Sequence, residues 1–468
     1  MTPSDISRAP AHTQLQALAA RTVSSRELLD LHLDRIAGSP LNAVIALDPE
    51  AARGAAHAAD QRRANGRPGG PLDGLPMTVK DSFETRGLRT ASGSPDLRDH
   101  LPQRDADAVA RLRTAGAIIM GKTNLPAYCQ DLHTDNALFG ATRNPHHPER
   151  TAGGSSGGPA AAVAAHLTPL ELGSDLAGSL RLPAHYCGVH ALRPTHGLIP
   201  SRGHIPRPPG WLTSSDLLTP GPLARHPRDL RIALDVLAGP AEADAVAWRL
   251  ELPAPAHERI ADYRIGVWSD DAHCPVDTAT RTLVEDLAQR LRGAGARIDT
   301  DDRPVDLPGS DTLFQRLLHA NAAGTAEDDA FRRDCDEAAQ LPPEDASPRA
   351  QFLRLRTQRH RDWIRANEDR ARMREGWAAY FRRHDALITP AAPTAAIGQG
   401  ARSLTVDGRE RGFFDQTGWL NLAGHMGLPA AVVPLGTDPD GLPLAVQIIG
   451  PRLADRTVLD LAERIGGS

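Results

Sequence analysis

Apolar residues recur with two different periods along this chain, and the alternation between them outlines a fold. Leu28, Leu29, Leu31, Leu33 and Ile36 supply one apolar face, and Ser24 and Glu27 just before it have the spacing of a capping box, so a helix is predicted to begin there. A second helix is predicted over 49–63, and the turn-rich GRPGGPLDG (66–74) separates it from a short strand over 75–80. A helix over 106–114 and a buried strand over 117–120 follow. The same alternation returns with a strand over 263–268, a helix over 278–293, and strands over 386–389, 430–434 and 444–449. Strands alternating with helices predict an α/β class: one α/β/α layered domain spanning 1–468, with a large mixed β-sheet covered by helices. The stretch 309–383 breaks the pattern. It is rich in Arg, Asp, Glu and Ala with helical spacing of Leu353, Trp363 and Trp377, and is expected to be a helical excursion over the core.

Composition narrows the function classes. With 40% hydrophobic and 24% charged residues over 468 positions, a sizeable core is possible. The formal net charge is -5 and no basic, aromatic-rich stripe occurs, so no nucleic-acid surface is expected. No run approaches the roughly 18 apolar residues of a membrane span. The opening MTPSDISRAP lacks a basic region followed by an apolar one, so no secretory signal and a cytoplasmic location are expected. The four cysteines, Cys129, Cys187, Cys274 and Cys335, are scattered and form no metal or disulfide pattern. His146, His147, His185, His190, His196 and His204 form no HExxH or other ligand set, so neither a metal nor an organic cofactor is expected.

The lysines are more informative. Of 53 basic Lys and Arg residues only Lys80 and Lys122 are lysine. A coding bias toward arginine explains the excess of Arg but not why two lysines persist. Arginine cannot lose its proton at usable pH, whereas a buried lysine can become a neutral amine. Lys80 is therefore a candidate for chemistry, and Lys122, at a strand-to-loop junction, for a structural role.

Two glycine–serine stretches stand out. In TAGGSSGGP (151–159) four glycines flank Ser155 and Ser156, and an apolar run 160–165 follows at once. No Lys follows as in a phosphate-binding P-loop, and the spacing is not that of a dinucleotide fingerprint. Glycines at a helix entrance instead let the backbone approach something closely. The second stretch, LELGSDLAGSLRLPAHYC (170–187), carries Gly178–Ser179 in a tight polar turn. Backbone N–H groups in such a turn can converge on one point, as an oxyanion hole requires.

These segments, with LDGLPMTVKDSF (72–83), GKTNLP (121–126), FGATRNP (139–145) and RPTHGLIP (193–200), resemble the amidase-signature family, almost continuously from 72 to 200. AGHMGLPAAVVPLG and GLPLAVQIIGP near the end also fit, while 240–380 diverges. The resemblance implies a serine hydrolase with Ser179 as nucleophile, Ser155, after a cis peptide bond, as bridging serine, and Lys80 as base. It also implies an oxyanion hole from the backbone of Leu176, Ala177, Gly178 and Ser179, with Asp175 and Arg181 supporting that loop. Ala177 departs from the family's usual glycine. Cys129, Gln130 and Leu132 fall where relatives lead into the acyl-binding side, and are candidate substrate contacts. Asp81 is expected to orient Lys80, and Tyr128, Trp211, Trp419 and Phe414 are candidates for pocket walls. The expected partner is a small-molecule amide or carbamate. The same triad opens esters, and an amidotransferase A-type subunit with partner chains is a further alternative, as is a catalytically dead binding protein. Assembly is left open, a homodimer included.

Overall fold

The computed structural model describes residues 1–67, 69–205 and 208–466. Thirteen strands are formed among the described residues: β1 (Val44–Leu47), β2 (Pro76–Lys80), β3 (Ile118–Thr123), β4 (Leu170–Asp175), β5 (His190–Arg193), β6 (Thr219–Ala224), β7 (Arg264–Val267), β8 (Arg297–Asp299), β9 (Ala386–Pro390), β10 (Ser403–Val406), β11 (Arg409–Gly412), β12 (Ala430–Thr437) and β13 (Pro443–Ile449). Eleven of them make one mixed sheet in the order β1-β3-β2-β4-β6-β5-β12-β13-β9-β7-β8, and β10 and β11 form a separate hairpin. The pairs β2/β3, β2/β4, β7/β8 and β7/β9 are parallel and the rest antiparallel. The predicted α/β class is the observed one.

Period-two alternation explains why both faces of the sheet are covered. Along β12, Ala431 and Val433 join one apolar cluster and Val432 joins another; along β13, Val446 and Ile448 face the first and Ala445 the second. The helix Thr278–Gly293 and the final helix Asp455–Gly466 bury Val284, Leu287, Val458 and Leu461 in the first cluster. The helices Gly157–Ala164 and Arg181–Cys187 fill the second with small residues, Ala160 to Val163, beside Leu182 and Tyr186.

The N-terminal expectations hold in detail. Ser24 caps Ser25–Ala37 with a reciprocal Glu27 contact, and a second helix runs Pro49–Ala64. The stretch 309–383 is indeed helical, as Leu307–Ala323, Asp328–Ala339, Pro348–Arg356 and His360–Phe381. Part of it is core: Leu313, Leu317, Trp377 and Tyr380 pack with Trp419 and Met426. The helix Asp328–Ala339 buries none of its residues. No helix among the described residues is long and apolar enough to cross a membrane.

Candidate active site

Three segments meet at Lys80, the last residue of β2. Its Nζ lies 2.7 Å from Ser155 Oγ, 3.0 Å from Ser156 Oγ and 3.1 Å from Ser174 Oγ, and the side chain is fully buried. Ser155 and Ser156 come from the turn that enters the helix Gly157–Ala164, and Ser174 from β4. The turn must run against Asn124, because a Cβ at Gly158 would be driven into the Asn124 backbone. The Gly154–Ser155 peptide is cis. All three hydroxyls around the amine are neutral, so burial pushes the Lys80 amine below the usual lysine range, with Cys129 and Asp175 drawing it partly back.

Ser179 stands in the turn between β4 and the helix Arg181–Cys187 and keeps 8% exposure. Its carbonyl accepts the Ser156 N–H at 3.1 Å, which fastens the two serine turns to each other. Its hydroxyl makes no hydrogen bond among the described residues. Such contacts commonly tighten only once substrate is bound.

The turn itself is held by Asp175. Its two oxygens accept both Arg181 Nε and Nη2 at 2.9 Å, the Gly178 N–H at 2.9 Å and the Leu180 N–H at 3.1 Å. Arg193 adds a second guanidinium at 3.4 Å, and all three side chains are inaccessible. Although burial opposes ionisation, the two guanidiniums and the N–H donors hold the Asp175 carboxyl far below its usual range. Arg181 continues to Leu420 O at 2.5 Å and Gln447 Oε1 at 2.6 Å, tying the turn to the helix Gly418–Gly424 and to β13. Gly178 has φ +102°, and a Cβ there would meet Leu420 Cδ1 at 2.6 Å. Ala177 is not in the left-handed region, so its methyl group is compatible with the turn. Of the four N–H groups expected in an oxyanion hole, that of Gly178 is committed to Asp175; those of Leu176, Ala177 and Ser179 donate to nothing among the described residues.

Two serines missed by sequence reasoning, Ser156 and Ser174, complete the shell of Lys80. The doubled serine of GGSSGG was the available signal for the first; Ser174 depends on the pairing of β2 with β4, which no local pattern reveals. Asp81 requires correction. It does not touch Lys80 but accepts the Ala91 N–H at 3.0 Å and lies 3.9 Å from Lys122. Asp81 opens the turn that follows β2, and its carboxylate is taken up by the returning backbone at Ala91 rather than by the lysine. Lys122 is structural, as expected: its amine donates to Phe83 O, to Thr85 Oγ1 at 2.9 Å and to Thr90 Oγ1 at 3.2 Å. Beneath the site Glu171 is bonded to Thr78 and Thr123, and burial pushes its carboxyl up to about 8.

Cys129 lies beside the Lys80 amine, in a turn where it and Tyr128 both have positive φ. Gln130 is exposed and Leu132 is buried among core residues. Of the aromatic candidates for pocket walls, Trp419 is core, edge-on to Trp268, and Phe414 is 71% exposed. A cavity of about 620 Å³ lined by His196, Ser201, Arg202 and Trp248 has none of the triad in its wall, nor has one of about 420 Å³ lined by Asp131, His133 and Arg402. The one His/Asp/Glu/Cys group among the described residues close enough to share an ion is Asp299, Asp302 and His384, remote in sequence from the lysine–serine site. Its atoms are already paired with one another and with Arg383.

A sequence model of the family described as Amidase matches residues 27–459. The chain is 36% identical over 475 residues to the A-type subunit of the glutamyl-tRNA(Gln) amidotransferase of Roseiflexus castenholzii, covering 96% of this chain and 93% of that one. It is 30% identical over 453 residues to the indoleacetamide hydrolase of Bradyrhizobium diazoefficiens, covering 96% and 84%. The crystal structure of a bacterial aryl acylamidase of the amidase-signature family superimposes with a TM-score of 0.81 at 26% identity, over 98% of this chain and 96% of that one. Sequence match and fold agree over nearly the whole length, and the chain belongs to the amidase-signature family.

Proposed function

We propose that the protein is an amidase that hydrolyses a carboxylic amide C–N bond through an acyl-enzyme on Ser179. The observation that carries this reading is the buried Lys80 amine 2.7 Å from Ser155 Oγ, with Ser179 on the turn fastened to the same segment. A serine hydroxyl is a weak nucleophile until a base takes its proton. Ser155 accepts the Ser179 proton while passing its own to the neutral Lys80 amine, since a hydroxyl both donates and accepts. Ser179 Oγ attacks the carbonyl carbon, and the N–H groups of Leu176, Ala177 and Ser179 receive the developing oxyanion. The proton returns along the relay to the leaving nitrogen, the C–N bond breaks, and water repeats the sequence on the acyl-enzyme. The relative that hydrolyses indoleacetamide and the aryl acylamidase neighbour support hydrolysis of a free-standing amide.

The test is amine release by wild type and Ser179→Ala on an aliphatic primary amide, an anilide, an aryl carbamate and an aryl ester. Turnover of an amide by wild type alone supports the reading. Turnover confined to the carbamate or ester moves the activity to that bond. A role as one chain of an amidotransferase is the second reading, favoured by relatives of 33–36% identity carrying that name. It predicts that the purified chain releases ammonia from glutamine only when partner chains are added.

A further inference from the structure

Asp299, Asp302 and His384 meet at the edge of the sheet. Asp299 closes β8, the last strand in the sheet order, Asp302 follows it in the turn, and His384 lies between the helix His360–Phe381 and β9. One ligating atom from each lies within 4.8 Å of the other two. The turn orients the first carboxylate: Asp299 Oδ1 accepts the Asp301 N–H at 2.9 Å and the Asp302 N–H at 3.1 Å, and Oδ2 is left to face the imidazole.

The imidazole is surrounded by acceptors. Nε2 faces Asp299 Oδ2 at 3.3 Å, and Nδ1 faces Tyr380 O at 3.4 Å and Asp302 Oδ2 at 3.5 Å. A neutral imidazole carries one N–H, so either tautomer turns a bare nitrogen lone pair toward a carboxylate. Asp299 supplies no proton, because the two N–H donors hold its carboxyl below the usual range. A positive charge must therefore stand at the ring, either a second proton or a metal ion. Arg383 Nη2 donates to Asp302 Oδ2 at 2.6 Å, but its side chain is 57% exposed, so that pair is screened and yields readily.

Tyr380 decides for the metal. It is 1% exposed and stacked on His384 at 4.3 Å, and its hydroxyl has no hydrogen-bond partner among the described residues. A Cβ on Gly266 would lie 1.7 Å from that oxygen, so the hydroxyl fills the side-chain place of Gly266. Gly266 is the register partner of Asp299 across the parallel β7/β8 pair. Register partners share a face, so the phenol oxygen stands one strand spacing, ~4.8 Å, from the root of the Asp299 side chain. Burial, then Asp302 and Asp299, push the phenol up, so it keeps its proton. A proton on His384 leaves this buried oxygen unpaired; an ion held by the other three takes it as a donor or reaches it through a bound water.

We infer that Asp299, Asp302 and His384 bind a divalent transition-metal ion, with Tyr380 Oη as the fourth donor, and that the ion fastens the turn after β8 to the start of β9. An imidazole with carboxylates suits Zn²⁺, whereas Ca²⁺ and Mg²⁺ take oxygen ligands. Bonds of about 2.0–2.2 Å place tetrahedral donors about 3.4 Å apart, close to the 3.3 Å between Nε2 and Asp299 Oδ2. The other ring N–H then goes to Tyr380 O, the carbonyl partner that histidine ligands commonly have.

The full chain, stripped with EDTA and returned to metal-free buffer, is titrated with ZnCl₂ by calorimetry, and its Tm is read with and without the ion. The expected result is one tight Zn²⁺ per chain and a raised Tm, because the folded state alone holds the site, with no rise in equimolar CaCl₂. His384→Gln and Asp302→Asn should each weaken Zn²⁺ binding at least about tenfold, and Tyr380→Phe should weaken it too. Asp302→Asn keeps its size in a partly exposed turn, so it reports even where His384→Gln fails to fold. Zn²⁺ affinity that these variants leave intact overturns the inference, since the ion then sits elsewhere, as on exposed histidines. Wild type that binds no Zn²⁺ overturns it as well and assigns the charge at the ring to a proton.

Discussion

Lys80 is legible in sequence because it is one of two lysines left in an arginine-rich chain, and its role rests on losing a proton. Lys80→Arg should fold and lose at least about a hundredfold in kcat, since a permanent cation cannot accept a proton. In wild type, burial lowers the amine, so kcat/KM should rise with pH on a limb centred below the range of a free lysine. A limb at or above that range would remove Lys80 as the base. Glu171 makes a second residue-level prediction. Its folded carboxyl is raised to about 8 from an ordinary 4.5, so the folded state binds the extra proton between those values. Stability then falls as pH rises through this window, by up to about 1.4 kcal/mol per pH unit. Glu171→Gln should flatten the decline in Tm between pH 5 and 8, and an unchanged slope would assign the decline elsewhere. Where sequence reading failed at this scale, it failed through adjacency: Asp81 follows Lys80 in the chain, but it opens the turn after β2 and its carboxylate serves the Ala91 N–H.

At the scale of elements, the glycine–serine turns were readable because few other residues fit them. Gly178 combines φ +102° with Leu420 2.6 Å from where a Cβ would sit. Gly178→Ala should therefore lower kcat by about tenfold or more, by moving the N–H groups on either side. Ala177→Gly should stay within about threefold of wild type, because Ala177 already has an unstrained φ. Comparable losses in both would mean that the turn tolerates no change, and that φ is not the reason. Several elements were not readable. β6 is TPGPLA, and proline and glycine ordinarily argue against a strand interior; it pairs with β4 across six positions regardless, and that ladder places Ser174 and Asp175. Long-range pairing decided the element there, and sequence windows do not see it.

For the whole molecule, the helical stretch 309–383 has two natures. Trp377 is 1% exposed in the cluster that backs Leu176 and Trp419, whereas the helix Asp328–Ala339 buries nothing. Trp377→Ala should cost about 3–5 kcal/mol of stability. Replacing both Asp329 and Arg332 by Ala, an exposed pair at 3.3 Å, should change it by less than about 0.5 kcal/mol. Denaturant midpoints measure both, and a small effect of Trp377→Ala would detach the excursion from the core. The amphipathic spacing foretold helices here; which of them would be buried was set by the helix Gly418–Gly424, far along the chain.

The complete burial of Lys80 and Lys122 has a consequence outside catalysis. Both side-chain amines of this protein are inside it, and its exposed basic side chains are arginines and histidines. Reagents that acylate lysine, whether used to tag, cross-link or immobilise a protein, find no side-chain target on the native molecule. The two lysines become reactive only when the core opens, so acylation of Lys80 and Lys122, read by mass, is a clock for unfolding built into the composition.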